Sequence, residues 1–255
     1  MEKNKNNLTC VIVKYQNPEL LSNLVSKLKN EGVGLVVSDN HSDSTAQELK
    51  IAGGNYKYID NGSNIGFGAA ANCGAKECRT EWLLFLNTDI DVTPEALKNF
   101  VKQAEEKGYD ACCPTTADSR YNVPLPSFSW FLGTFTPLKK IEYFSTRAQK
   151  QPLTLWGGCL LVKRSVFEKL GGFDERFFLW FEDSDLTKRL IDAKYKVGRV
   201  DVPGLVHIGG VSFESMPEKQ KRKLFFTSAY TYVSIHGQWY DKMLVTLLRL
   251  RYSTY

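Results

Sequence analysis

The sequence predicts an α/β fold in which a mainly parallel, doubly wound sheet is flanked by helices. Short apolar, β-branched runs alternate with amphipathic segments as far as Cys113. Turn signals of glycine, proline, asparagine or aspartate separate these segments. The run 82–86 is apolar at every position, as expected of a strand buried on both faces of a parallel sheet. Together these features predict successive β-α-β units.

The first half of the chain gives the clearest elements. Residues 8–13 form the first strand, and Pro18 and Glu19 start a helix with leucines on one face. Glycines at 32 and 34 end this helix before the second strand. The same criteria predict strands over 35–38, 56–59, 82–86 and 110–113, a short helix over 42–49, and helices over 66–78 and from Thr93.

The second half is less regular. Residues 114–152 are rich in proline and aromatic residues without a clear period, which predicts a long loop region over the site. A strand over 153–162, a short helix capped by Ser165, a helix over 182–193 and a strand over 196–200 follow. We expect a catalytic domain over 1–215 and a helical segment over 216–255.

Composition excludes several classes of protein. The chain has 255 residues and a formal net charge of +5, and its basic cluster at 219–223 is too local to indicate nucleic acid. No apolar run approaches the roughly 20 residues of a membrane span. The polar residues 1–7 lack the apolar core of a secretory signal, so we expect a cytoplasmic location. The six cysteines lack paired C-x-x-C spacing, which indicates buried free thiols and not a zinc site.

Polar side chains follow the predicted strands where ligands of such sheets bind. Asp39, Asn87 and Asp89 stand at carboxyl ends of strands, so they converge on one crevice. Asp89 can present an oxygen to a divalent cation that bridges two phosphates. The alternative is that Asp89 and Asp91 cap the helix starting near Thr93.

A glycine-rich stretch offers a competing hypothesis. Residues 66–71 match the G-x-G-x-x-A form of a dinucleotide fingerprint, which predicts an NAD-binding oxidoreductase. The fingerprint normally lies in the first β-α turn, which here is 14–18. Small residues also let a helix pack closely against a sheet.

The stretch 171–186 carries carboxylates on both sides of an aromatic block. Asp183 would lie at a helix start, where the helix dipole stabilises an anion that can act as a general base. Trp180 and Phe181 could form a platform for a sugar ring. The alternative is an acidic helix start behind an aromatic core segment. His207 precedes Gly209 in a predicted turn and either completes a metal shell or lies on the surface.

These segments resemble the family 2 glycosyltransferases of the GT-A fold, and within them the rhamnosyltransferase-like and galactofuranosyltransferase-like members. The resemblance covers nearly all of 8–215 and is carried by residues 11–21, 37–45, 64–74, 84–97 and 156–190. It implies a Rossmann-like mixed sheet with a C-terminal helical extension. A sugar-binding module that has lost turnover remains an alternative, although the residues expected of an active transferase are present.

The resemblance also implies roles for individual residues. Asp183 would be the catalytic base, and Asp89 and His207 would hold Mg²⁺ or Mn²⁺. Asn87 stands where many relatives have aspartate, so metal binding would rest on the other two. The donor would contact Asp39 at its nucleobase and Asn64, Gly66, Asn87 and Asp89 elsewhere, and the acceptor or sugar platform would comprise Trp156, Trp180 and Glu182.

The reaction implied is inverting sugar transfer from a nucleoside diphosphate to a hydroxyl of a glycan or lipid-linked acceptor in bacterial surface-polysaccharide synthesis. The first expectation for the donor is dTDP-rhamnose, and UDP-galactofuranose or another UDP-sugar is the alternative.

The tail 224–255 mixes aromatic and basic residues. It is either an amphipathic element on the inner face of the cell membrane or a helix packed on the catalytic domain.

Overall fold

The structure is a computed structural model that describes residues 7–29, 31–41, 56–115, 121–140, 150–209 and 216–253. The predicted helix over 42–49 lies outside these residues. The described strands are β1 (Leu8–Lys14), β2 (Gly34–Asp39), β3 (Tyr56–Asp60), β4 (Trp82–Asn87), β5 (Ile90–Val92), β6 (Ala111–Pro114), β7 (Cys159–Lys163), β8 (Val197–Val200) and β9 (Leu205–His207). The described α-helices are α1 (Pro18–Leu28), α2 (Phe67–Lys76), α3 (Pro94–Lys107), α4 (Phe128–Phe135), α5 (Arg164–Lys169), α6 (Glu182–Asp192), α7 (Glu218–His236) and α8 (Trp239–Ser253).

The central sheet has seven strands in the order β3-β2-β1-β4-β7-β6-β8. β3, β2, β1 and β4 are mutually parallel, and β6 pairs with β8 in parallel. β7 alone in this sheet runs antiparallel to its neighbours. β5 and β9 form a separate antiparallel ribbon. The predicted mixed, mainly parallel sheet is confirmed.

Two apolar cores cover the faces of this sheet. On one face α1 and α3 pack against β1, β2 and β4, and on the other α2, α5 and α6 pack. Strand β4 is fully buried over 82–86, which confirms the prediction from its unbroken apolar run. The small residues of α2 allow close packing, since a Cβ at Gly74 would lie 2.4 Å from Val11 Cγ1. This contact explains the glycine and alanine content of the helix.

A third core joins the C-terminal helices to the rest of the domain. Phe226 and Val233 of α7 and Val245 of α8 are buried with Phe131 of α4 and with Phe181. The predicted C-terminal helical extension is confirmed, and its inner face packs back on the domain. The boundary at residue 215 stays a prediction. None of the helices in the described ranges is long and apolar enough to cross a membrane.

Some boundaries predicted from sequence were wrong. The segment 114–152 was expected to be a loop, but it contains helix α4. This helix forms because Ser127 Oγ caps its start, accepting a hydrogen bond from Trp130 N at 3.3 Å, and because Phe131 is fully buried. The strand expected over 153–162 is a strand only from Cys159 to Lys163. Before Cys159 the backbone N–H groups of Thr154 and Leu155 donate to Val123 O and Thr187 Oγ1 and not to a strand of the sheet. Helix α5 starts without the side-chain cap expected from Ser165. The cysteines are free and all but the half-buried Cys73 are buried, as expected.

Candidate active site

A cleft of about 450 Å³ opens at the carboxyl ends of β1 and β4, beside the start of α6. It collects almost every residue that the sequence analysis singled out. The cleft-lining members of that set are Asn64, Gly66, Asn87, Asp89, Trp156, Trp180, Glu182, Asp183 and His207. Side chains more than 100 positions apart in the sequence therefore share one cavity.

The β5–β9 ribbon places Asp89 beside His207. Ile90 pairs with His207 across the ribbon, and Ile208 N donates a 2.9 Å hydrogen bond to the carbonyl of Asp89. As a result His207 Nε2 lies 3.0 Å from Asp89 Oδ2. Burial raises the pKa of the Asp89 carboxyl, while His207 opposes that rise. Asp89 Oδ1 is buried and has no hydrogen-bond partner within the described part of the chain.

Tyr121 holds the opposite side of the imidazole and was not predicted. Its hydroxyl lies 2.9 Å from His207 Nδ1, and its ring lies 4.4 Å from that of Trp156, centroid to centroid. The ring of Trp156 also meets His207 edge-on at 5.2 Å. These contacts fix the plane of the imidazole with Nε2 toward Asp89. No sequence signal marks Tyr121, because its segment is aperiodic.

The capping alternative for the acids after β4 is wrong. Thr93 caps α3, since its Oγ1 accepts a hydrogen bond from Ala96 N at 3.2 Å. Asp91 forms a surface ion pair with Lys27 instead. Asp89 therefore has no part in capping the helix and faces the cleft.

Asp39 lies beneath the cleft and does not line it. Its carboxylate is fully buried, accepts a 3.1 Å hydrogen bond from Lys14 Nζ and a 2.8 Å bond from His41 N, and also bonds the hydroxyl of Tyr58. The next residue, Asn40, does line the cleft. The nucleobase contact expected of Asp39 stays a prediction, and the buried ion pair gives this residue a structural role as well.

The glycine-rich stretch packs against the segment that contains Phe178 and does not form a phosphate-binding turn after β1. Gly66 has φ +90°, and a Cβ there would lie 2.4 Å from the carbonyl oxygen of Phe178. Phe67 N donates to that same oxygen at 3.1 Å, and Asn64 Oδ1 accepts from Gly66 N at 3.0 Å. The stretch follows the edge strand β3. The dinucleotide hypothesis therefore loses its structural basis.

Asp183 faces the cleft from the first turn of α6. Its Oδ2 accepts a 3.3 Å hydrogen bond from Gly157 N, and its Oδ1 accepts a 2.7 Å bond from Ser184 N. Burial raises the pKa of this carboxyl, and the backbone donors oppose the rise. A partly buried carboxylate with a raised pKa at the edge of a cleft is suited to accept a proton.

Glu182, immediately before it, is buried and lines the same cleft. Its Oε2 has no hydrogen-bond partner among the described residues. Burial, followed by repulsion from Asp183, raises the pKa of Glu182 to about 8. Ionisation of both neighbouring acids at once is therefore disfavoured.

A strained turn aims these acids. Trp180 and Phe181 have φ of +64° and +68°, a conformation that non-glycine residues keep only when their surroundings hold them. Phe181 is buried in the third core, with its ring 5.1 Å from that of Phe225 on α7. Trp180 lines the cleft and meets Phe225 edge-on. The C-terminal helices therefore help to hold the start of α6.

The cleft thus brings the Asp89–His207 pair and the paired acids at the start of α6 together at the carboxyl ends of the sheet strands. Sequence comparison gives the family. The family model described as glycosyl transferase family 2 matches residues 9–171. The chain belongs to this family. A second model, described as the N-terminal domain of galactosyltransferase, matches residues 140–211, which include Asp183 and His207.

Three relatives illustrate the similarity. The chain is 26% identical over 210 residues to the low-salt glycan biosynthesis hexosyltransferase Agl10 of Haloferax volcanii, covering 78% of this chain and 66% of the relative. It is 28% identical over 186 residues to the N-acetylglucosaminyl-diphospho-decaprenol L-rhamnosyltransferase of Mycobacterium tuberculosis, covering 62% and 61%. It is 24% identical over 216 residues to rhamnosyltransferase WbbL of Escherichia coli, covering 77% and 81%. The matches span just under two thirds of the length of the first two relatives.

Among solved structures, the chain resembles a mannosyltransferase from Pyrobaculum calidifontis in complex with GDP-Man and Mn²⁺. The TM-score is 0.62 at 12% identity, with 95% of this chain and 73% of the other covered. At this identity the similarity establishes the fold.

Proposed function

We propose that this glycosyltransferase moves rhamnose from dTDP-rhamnose, with inversion at the anomeric carbon, to a hydroxyl of a glycan or lipid-linked acceptor in bacterial surface-polysaccharide synthesis. The observation that carries the proposal is the shared cleft. It holds a base, Asp183, and the acid–histidine pair of Asp89 and His207. Transfer needs a group to accept the acceptor proton and a group to stabilise the departing diphosphate.

The relatives support the choice of sugar. Two of the three are named as rhamnosyltransferases, and one name specifies a lipid-linked diphosphate acceptor. A UDP-sugar, including UDP-galactofuranose, is the alternative donor, and the match of residues 140–211 to a galactosyltransferase model favours it.

The residues at the ribbon fit a divalent cation, either Mg²⁺ or Mn²⁺. Asp89 Oδ1 is a buried carboxylate oxygen without a partner in the described structure, and His207 Nε2 lies beside the other oxygen. Carboxylate and imidazole are donors that such ions accept. No cluster of three protein ligands occurs among the described residues, so diphosphate and water would complete the shell. The bound cation would neutralise charge on the donor's diphosphate.

Asp183 supplies the proton acceptor for the reaction. Its carboxylate takes the proton of the acceptor hydroxyl as that oxygen forms a bond to the anomeric carbon, and the bond from that carbon to the diphosphate breaks. A single displacement of this kind inverts the anomeric centre. Because the pKa of the neighbouring Glu182 is raised, a proton on that carboxyl would leave the negative charge of the pair on Asp183.

The aromatic residues of the cleft orient the sugars. Trp156 and Trp180 line it from separate segments, and indole faces pack against the apolar faces of sugar rings. Asn64, Gly66 and Asn87 present amide and backbone groups to the donor from the same cavity.

A transfer assay tests the proposal. The purified chain is incubated with Mg²⁺ or Mn²⁺, an N-acetylglucosaminyl-diphospho-lipid acceptor and, in turn, dTDP-rhamnose, UDP-galactofuranose, UDP-galactose and GDP-mannose. We expect an acceptor-dependent product with dTDP-rhamnose, and NMR should show that the configuration of the transferred sugar is inverted. Asp183→Asn should form this product about 10²–10⁴-fold more slowly. Preferential use of a UDP-sugar would overturn the rhamnose assignment, and retention of configuration would overturn the single displacement.

A further inference from the structure

Helix α8 carries a row of large apolar side chains on its outer surface. Trp239 is 72% exposed, Met243 54%, Leu247 58% and Leu250 63%. Their spacing of four, four and three residues places them on one face of the helix. A continuous exposed apolar row of this kind indicates a surface that binds another apolar phase.

The opposite face of α8 accounts for its packing on the domain. Asp241, Val245 and Leu248 are buried there, and the Asp241 carboxylate accepts a 2.7 Å hydrogen bond from Gln238 N. The ring of Tyr252 stacks on Phe226 at 5.3 Å. The outer row therefore takes no part in holding α8 to the domain.

Basic side chains flank the outer row on both sides. At 100° per residue Lys242 and Arg249 fall on one flank and Arg251 on the other. The guanidinium of Arg249 lies 6.0 Å from the ring of Tyr230, an exposed residue of α7. The start of α7 also carries a basic cluster over 219–223. The single acid in the sequence of α8, Asp241, is buried on the other face.

We propose that this outer face of α8 binds the surface of an anionic lipid bilayer, with Trp239, Met243, Leu247 and Leu250 in the headgroup boundary and the flanking cations on lipid phosphates. An apolar face with a basic rim is the pattern of helices that lie in a membrane interface. Phe225 of the adjoining helix α7 lines the catalytic cleft, so the membrane surface would lie close to the entrance for a lipid-linked acceptor.

Charge favours a bilayer over a second copy of the chain. A symmetric dimer through this face would bring the basic flanks of two α8 helices together without acids between them. Anionic headgroups instead neutralise these charges. The inference does not depend on which sugar is transferred, because the binding test contains no substrate.

Vesicle flotation tests the proposal. The wild-type protein is mixed with vesicles of phosphatidylcholine alone or with phosphatidylglycerol added. We expect flotation with the anionic vesicles and a loss of affinity of at least about tenfold in Leu247→Glu/Leu250→Glu, because two apolar anchors are removed. The control Ser22→Glu/Asn23→Glu adds the same charge at exposed positions of α1 and should float like the wild type.

A second variant separates the charge from the apolar contact. Lys242→Gln/Arg249→Gln/Arg251→Gln should bind anionic vesicles about fivefold more weakly for each cation removed. Circular dichroism confirms that each variant is folded, and light scattering gives its oligomeric state.

Several results would overturn the proposal. These are a wild-type protein that does not float, an α8 double variant that floats as well as the wild type, and a wild-type dimer that becomes a monomer in that variant without vesicle binding. The last result would assign the face to a second copy of the chain.

Discussion

Replacement of Glu182 by glutamine should remove a large pH dependence of stability. In the folded protein, burial and the neighbouring Asp183 raise the pKa of Glu182 from its ordinary value of 4.5 to about 8. A carboxyl with a raised folded-state pKa binds its proton more tightly when folded. Its contribution is therefore complete below about pH 4.5 and is lost as pH rises through about pH 8.

The magnitude follows from the difference between these two values. At about 1.4 kcal/mol for each pH unit, the difference sets an upper limit of about 5 kcal/mol. Water in the open cleft and the shared repulsion with Asp183 reduce this value, and we expect about 2 kcal/mol between pH 5 and pH 9. Glu182→Gln keeps the shape of the side chain and carries no charge, so it should be the more stable protein at pH 9.

Urea unfolding of the wild type and Glu182→Gln at pH 5, 7 and 9 measures this difference. Glu31→Gln, at an exposed carboxyl after α1, is the matched control and should follow the wild type at each pH. Equal pH slopes in the wild type and Glu182→Gln would refute the assignment of a raised pKa to this residue. A Glu182→Gln protein that is less stable at pH 9 would refute the sign.

Three further predictions concern the rest of the site. Asp183→Asn should lower kcat by about 10²–10⁴ and leave the affinity for nucleotide unchanged. The kcat of the wild type should fall at low pH as Asp183 takes up a proton, and it should do so above the ordinary pKa of an aspartate. Loss of nucleotide binding in the variant would assign Asp183 to the donor site instead. Tyr121→Phe keeps the ring that packs on Trp156 but removes the hydroxyl that contacts His207. The affinity for Mn²⁺, measured by electron paramagnetic resonance, should therefore fall about tenfold, and an unchanged affinity would contradict a role of Tyr121 in positioning His207. Gly66→Ala should lower the free energy of unfolding in urea by about 2–4 kcal/mol, because the new Cβ meets the Phe178 carbonyl. Gly62→Ala, with open space around its Cβ, should lower it by about 1 kcal/mol, and equal losses in the two variants would contradict the clash.

The regular part of the fold could be predicted because its signals are local. The apolar run in β4, the proline at the start of α1 and the small residues of α2 each reflect a contact confirmed in the structure. Helix α4 was missed because its formation depends on Phe131 entering a core built by the distant helices α7 and α8. Tertiary contacts of this kind leave no periodic pattern in the segment itself.

The candidate site likewise could be predicted from the sequence only where its signals are local. Asp89 and Asp183 follow from strand ends and helix starts, which are local features. Tyr121 contacts His207 only through the folding of an aperiodic segment over the cleft. The burial of Asp39 against Lys14 and Tyr58 could not be predicted either, since its partners come from β1 and β3.

The most direct test of the central claim is calorimetric titration of dTDP and UDP, with and without Mn²⁺, into wild type, Asp89→Ala and Asp183→Asn. We predict that a nucleotide binds only with the metal, that Asp89→Ala loses this binding, and that Asp183→Asn keeps it. Metal-independent binding, or equal binding by Asp89→Ala and the wild type, would contradict the assignment of the Asp89–His207 pair to a metal-bound diphosphate.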